Sequence, residues 1–230
     1  EMPDDTIYLD GGVEMLSRNG TFLGQHICTP LRGVAVHINA FNFPVWGMLE
    51  KLAPTLLAGV PAIVKPATAS CYVAERAMRL MLDSGILPPG AAQLVSGGLG
   101  DMLGRLTHQD VVSFTGSAET ALKLRSAPHL LAQSIRFIAE QDSLNASILG
   151  PDAVPGTPEF DLFIKEVTRE MTAKAGQKCT AIRRIIAPEA HVGAAIEALR
   201  GSLAKARIGD PRSPETRMGA LVSKTQRTDV

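Results

Sequence analysis

At 230 residues, with 45% hydrophobic and 20% charged residues, the chain has apolar surface for a sizeable core and reads as globular, in one large domain or two small ones. Its 23 basic and 23 acidic residues cancel, which removes the electrostatic case for nucleic acid or an anionic membrane as main partner. Three cysteines without paired spacing, and neither a signal-peptide pattern nor an apolar run of membrane-spanning length, lead to the expectation of a soluble protein in a reducing compartment, the cytoplasm. The five histidines show no metal spacing, and no metal is expected. The chain opens on Glu1 and stops at Val230 directly after Thr-Asp, and it reads as an excerpt.

Residues 1–32 form a turn-rich lead-in followed by an exposed strand or hairpin around Thr21–Thr29, with Asn19-Gly20 as a turn signal. Gly33 to Ile38 is a short β-branched run in the pattern of a buried strand, and it ends in the loop Asn39-Ala40-Phe41-Asn42-Phe43-Pro44. Met48 to Ala58 predicts a helix despite Pro54, stopped by Gly59, and Pro61 to Lys65 is the next strand. Cys71 to Ser84 is another helix, closed by Gly85; Gln93–Val95 and Val111–Phe114 are strands, a helix runs from Ser117 toward Arg125, and a strand follows around Ile135–Ala139. The spacing is that of a doubly wound α/β layer, a parallel sheet with helices on both faces. An amphipathic helix is predicted from Glu159 to Ala175, and a β-branched run from Ile182 to Ala187.

Doubly wound sheets bind ligands beyond the carboxyl ends of their strands. Three loops there carry polar residues: Asn42, then Lys65-Pro66-Ala67-Thr68, then Thr115-Gly116-Ser117. Gly116 and Ser117 at a helix start make an anion site suited to pyrophosphate; the competing reading makes Ser117 an ordinary N-cap with Thr120 nearby. Ser96-Gly97-Gly98-Leu99-Gly100 lacks the GxGxxG register and is a weak signal. Between the last predicted helix and strand lies Lys174-Ala175-Gly176-Gln177-Lys178-Cys179-Thr180. A thiol in that turn can be reached by substrate, and its thiolate is a nucleophile; the alternative is the common fate of free cysteine, simple packing.

Asn42-Phe43-Pro44, Lys65-Pro66, Phe114-Thr115-Gly116-Ser117, Glu140 and Gly176-Gln177-Lys178-Cys179, in this order and at these separations, resemble the aldehyde dehydrogenase superfamily. Within it, His37 to Pro44, Asp142-Ser143-Leu144-Asn145 and Cys179 to Arg184 resemble the semialdehyde dehydrogenases of coenzyme A-linked aromatic degradation, which serve the aerobic phenylacetate and benzoyl-CoA pathways. Ala139 to Ser147 is closer to the benzoyl-CoA branch, whose substrate is 3,4-dehydroadipyl-CoA semialdehyde. The resemblance implies oxidation of such an aldehyde to the acid, with Cys179 as nucleophile, Asn42 and the Cys179 backbone N–H on the oxyanion, and Glu140, in a loop after its strand, as the base that activates water. It places Lys65, Thr68, Gly116, Ser117 and Phe41 on the cofactor, NADP with NAD possible. NAD-specific relatives carry a glutamate three residues after the lysine, where this chain has Thr68; a carboxylate would repel a 2′-phosphate that Thr68 and Lys65 can hold. Alternatively, Thr68 caps the helix that begins near Ser70.

The same resemblance divides the chain into an oligomerisation-type hairpin at 1–32, a partial dinucleotide-binding domain at 33–141 and the start of a second α/β catalytic domain at 142–230, in a homodimer or higher homo-oligomer. Family members are longer, so activity needs the parent protein. One departure stands out: common relatives read Glu-Leu-Gly-Gly where this chain has Glu140-Gln141-Asp142-Ser143. Two other readings stay open, a coenzyme A-acylating dehydrogenase, against which Glu140 argues, and a non-catalytic cofactor-binding subunit.

Overall fold

The structure is a computed structural model describing residues 8–29 and 31–229; Glu1 to Ile7 and Pro30, parts of the expected lead-in, lie outside the described residues. The chain divides into two compact units, Glu1–Gln141 and Asp142–Val230. In the first, β1 (Tyr8–Met15) and β2 (Leu23–Cys28) form an antiparallel hairpin that is exposed along nearly its whole length. The expected strand near Thr21–Thr29 is β2, whereas β1 falls where the sequence reads as turns. Gly11 at φ +74°, beside a register shift between Asp10 and Glu14, breaks the alternation by which a strand is recognised.

The chain continues through β3 (Ala35–Ile38), α1 (Trp46–Leu57), β4 (Ala62–Lys65), α2 (Cys71–Asp83), β5 (Ala92–Leu94), β6 (Val111–Gly116), α3 (Ala118–Arg125), α4 (Pro128–Ala132) and β7 (Arg136–Gln141). These five strands make one parallel sheet in the order β5-β4-β3-β6-β7. The two-residue period sends Val36, Ile38, Val112 and Phe114 to one face, against Ala121 of α3 and Leu130 of α4. Ala62 and Val64 pack on the other face against Met48 and Leu52 of α1 and Ala74 and Met78 of α2. The doubly wound layer expected from the spacing is therefore formed. The start of β3 is tied down by the buried Asp110 carboxylate, which accepts from Val34 N at 2.7 Å and Thr107 N at 2.6 Å. Gly33 has no room for a side chain there, since a Cβ would lie 2.2 Å from the Gln109 carbonyl oxygen. Glu140 is a correction: it sits within β7, opposite Thr115, and not in a following loop. The ladder outlasts the apolar run because β6 itself extends to Gly116.

The second unit contains β8 (Asn145–Ile148), α5 (Pro158–Thr172), β9 (Ile182–Ile186), α6 (Glu189–Leu203) and α7 (Lys224–Asp229). β8 and β9 pair in parallel, and Phe160, Ile164 and Val167 of α5 pack with Ala195 and Leu199 of α6. Thr157 caps α5 by accepting from Phe160 N. The helix ends at Thr172, short of the expected Ala175, because Lys174, Ala175 and Gly176 turn left-handed at φ +52°, +56° and +70°. No helix among the described residues is long and apolar enough to cross a membrane.

Of the buried polar side chains among the described residues of the first unit, His37 lies deepest. His37, 1% exposed at the centre of the sheet, places Nε2 3.1 Å from Thr55 Oγ1 of α1. Burial, and secondarily the positive charge of Lys51, lower its pKa from the usual 6.5 to about 4. The folded state then holds fewer protons than the unfolded one between these values, so the neutral ring's contribution is complete above pH 6.5 and is lost as the pH falls toward 4. Replacing His37 with Gln, which keeps a partner for Thr55 but does not titrate, removes this loss. Urea unfolding at stepped pH on the full-length protein should show the wild type losing roughly 3 kcal/mol more than His37→Gln between pH 7 and pH 4.

Candidate active site

The carboxyl edge of the first sheet gathers seven of the eight expected site residues. Phe41 and Asn42 lie in the turn between β3 and α1, closed by Gly47 N on Phe43 O at 2.8 Å. Lys65 ends β4 beside that turn, its carbonyl accepting from Asn39 N at 3.0 Å. Thr68 opens a short 3₁₀ turn ahead of α2 and is exposed. Neither that turn nor α2 has a side-chain cap, which removes the reading of Thr68 as a helix cap. Ser117 does cap α3, accepting from Thr120 N at 3.3 Å and donating to Thr120 Oγ1 at 2.9 Å. Gly116 is fixed by packing, since a Cβ would lie 2.6 Å from Cζ of the buried Phe114 ring. Glu140 is exposed, level with Thr115 across the β6–β7 ladder.

Sequence reasoning passed over Lys51. Its side chain, 12% exposed, rises from α1 to donate to Thr115 Oγ1 at 2.7 Å, which fixes an ammonium at the end of the sheet where Glu140 stands. The signal was available: a lysine at helical spacing among Met48, Leu52 and Thr55 is on the buried face. The donor character of this edge suits an anionic ligand. The Lys65 ammonium meets no hydrogen-bond or ion-pair partner among the described residues, and α3 presents first-turn N–H groups. The buried Asn39 amide and Ser70 Oγ are likewise left without partners in this region. Among the described residues, no group of His, Cys, Asp and Glu is placed to hold a metal ion.

Cys179 stands in the second unit, exposed and free, in the turn closed by Ala181 N on Lys178 O at 3.1 Å. It is not packed, so the alternative of a buried structural thiol falls away. The loop is pinned at several points. Arg183 donates to Gly176 O at 2.8 Å, Val222 N to Gln177 Oε1 at 2.9 Å, and Lys178 pairs with Glu170 at 2.5 Å. Ser143 Oγ and Asn145 Nδ2 both donate to the Cys179 carbonyl oxygen. Burial, reinforced by the charge of Lys178, pushes the Lys174 ammonium below the usual lysine range, while Cys179 acts in the opposite direction.

Comparison with known proteins agrees with the fold and motifs. The sequence pattern of the aldehyde dehydrogenase family matches residues 10–230. The chain is 55% identical over 217 residues to 3,4-dehydroadipyl-CoA semialdehyde dehydrogenase of Aromatoleum evansii, covering 94% of this chain and 42% of that protein. It is 32% identical over 197 residues to aminoacetaldehyde dehydrogenase of Pseudomonas aeruginosa, covering 83% and 38%. The crystal structure of betaine aldehyde dehydrogenase from Staphylococcus aureus in complex with NAD+ superposes with a TM-score of 0.77 at 26% identity, over 86% of this chain and 38% of that one. The chain thus spans less than half the length of these relatives. With the family pattern running through nearly all of it, the chain belongs to the aldehyde dehydrogenase family.

Proposed function

We propose that the protein carrying this chain oxidises an aldehyde to a carboxylic acid through a thioester on Cys179, its substrate being a coenzyme A-bound semialdehyde of aromatic degradation. The observation that carries this reading is the exposed Cys179 in a loop pinned by Ser143, Asn145 and Arg183; the 55% identity to a protein named for such a substrate supports the substrate class. The Cys179 thiolate adds to the aldehyde carbon, and the side-chain amide of Asn42 and the backbone N–H of Cys179 donate to the oxygen that gains negative charge. A bound nicotinamide supplies the acceptor for one hydride from that carbon, and a thioester on Cys179 results. Glu140 takes a proton from water as the water attacks the thioester, the carbon–sulfur bond breaks, and the acid leaves with Cys179 restored as thiolate.

The first unit's sheet, 33–141, is assigned to the cofactor and 142–230 to the start of the catalytic domain. Lys65 and Thr68 hold the ribose phosphate, Phe41 lies along the cofactor, and Gly116 brings the backbone close. Because the Ser117 hydroxyl is engaged by Thr120, the first-turn N–H groups of α3 do most of the pyrophosphate binding. The exposed β1–β2 hairpin is assigned to assembly, as a homodimer or larger homo-oligomer, in the cytoplasm.

Two experiments on the full-length protein test this reading. The ratio of kcat/KM values should favour NADP over NAD, and Thr68→Glu should reverse that preference by placing a carboxylate against the 2′-phosphate; equal use of both cofactors by the wild type contradicts the assignment. Glu140→Gln should still release a first-turnover burst of NADPH, after which steady turnover falls by roughly 10²-fold, the scale of a lost general base. A burst slowed as much as the steady rate would instead assign Glu140 to deprotonating Cys179.

A further inference from the structure

Cys179 occupies the second position of the turn from Lys178 to Ala181, whose closing bond runs from Ala181 N to Lys178 O at 3.1 Å. That bond does not use the Cys179 carbonyl, which would otherwise be left to water. Instead the oxygen accepts from two side chains of one neighbouring segment, Ser143 Oγ and Asn145 Nδ2, while the same Asn145 amide also reaches Ala181 O at 3.3 Å. A carbonyl oxygen has two lone pairs, and both are engaged here. Since the peptide is planar, fixing its oxygen in two directions fixes the plane between Cys179 and Thr180. With the turn bond setting the other side of Cys179, the direction of its Cα–Cβ bond is determined. A bulge contributes from the far rim: the β8–β9 register passes from Asn145 opposite Ile182 to Ala146 opposite Arg184. Arg183 is the extra residue, free to turn its guanidinium back to the Gly176 carbonyl at 2.8 Å.

We propose that Ser143 and Asn145 are positioning residues for the nucleophile, a two-donor clamp on the Cys179 carbonyl that aims the thiol before substrate arrives. This rests on the reading of Cys179 as nucleophile and adds to it. Ser143 stands where the Glu-Leu-Gly-Gly run of common relatives has its second glycine, a residue with no side-chain donor, so the departure at Asp142-Ser143 supplies half of the clamp. The clamp acts on the Cys179 backbone; by fixing the Cα–Cβ direction it narrows the positions the sulfur can reach to those of its rotamers.

The test is a single turnover on the full-length protein, with enzyme in excess over NADP and aldehyde saturating, read as the rate constant and amplitude of NADPH absorbance. Thr and Val are nearly isosteric and differ in the hydroxyl, so Ser143→Thr should keep the rate constant within about twofold, whereas Ser143→Val should lower it about tenfold, the scale of one hydrogen bond. Asn145→Leu should act like Ser143→Val, and NADP affinity measured by fluorescence titration should be unchanged in all three. Equal rate constants for Ser143→Thr and Ser143→Val overturn the clamp. Cys179→Ser separates the two levels. If it is inactive while Ser143→Val and Asn145→Leu run at the wild-type rate, the nucleophile stands and the clamp fails; if it turns over normally, the nucleophile and the clamp fail together.

Discussion

The constraint on which the first unit depends is parallel pairing. Strands that run the same way must each be reached by a crossover, and each crossover lays a helix on a face of the sheet. β3 shows the result: between β4 and β6 it is buried over all four residues, and its only polar side chain, His37, stays neutral near pH 7. The same rule sends every carboxyl end to one edge. Asn42, Lys65, Thr68, Gly116, Ser117 and Glu140 are scattered through a hundred residues of sequence, and the topology alone collects them.

The second unit solves a different problem. Cys179 is exposed, which deprives it of the packing that would hold it still. Here the restraint comes from polar contacts to the backbone around Cys179: Ser143 and Asn145 on its own carbonyl, Arg183 on Gly176, Gln177 on Lys174 and Val222. The left-handed Lys174, Ala175 and Gly176 carry the chain sharply out of α5 into this framework. Left-handed Lys and Ala are each unfavourable by about 1 kcal/mol, a cost offset by the contacts that follow.

What was legible in the sequence was what local pattern encodes. β3, β4 and β6 are apolar β-branched runs, α1 and α2 have apolar stripes ended by Gly59 and Gly85, both at positive φ, and Ser117 is a cap by type and place. What was not legible depends on partners far along the chain. β1 is a strand because β2 pairs with it, despite Gly11-Gly12 and its acidic residues. Glu140 is in a strand because β6 runs two residues past its apolar stretch. The early end of α5 and the bulge at Arg183 have the same origin, since both are set by bonds across the Cys179 loop. Lys51 was missed for another reason: a single cation in an apolar stripe is ordinarily a stem lying along the surface with its charge in water, and the Thr115 hydroxyl that receives it here is 64 residues away.

The central claim is that the substrate carbon is joined to Cys179 and to no other atom of the protein when it is oxidised. The direct measurement is to mix the full-length protein with aldehyde and NADP, quench in acid within the first turnover, digest, and weigh the peptides. The account predicts that the peptide containing Cys179 gains the mass of the aldehyde less two hydrogens, in proportion to the NADPH formed. NADPH formed with that peptide unchanged, or with the added mass on another residue, would contradict it.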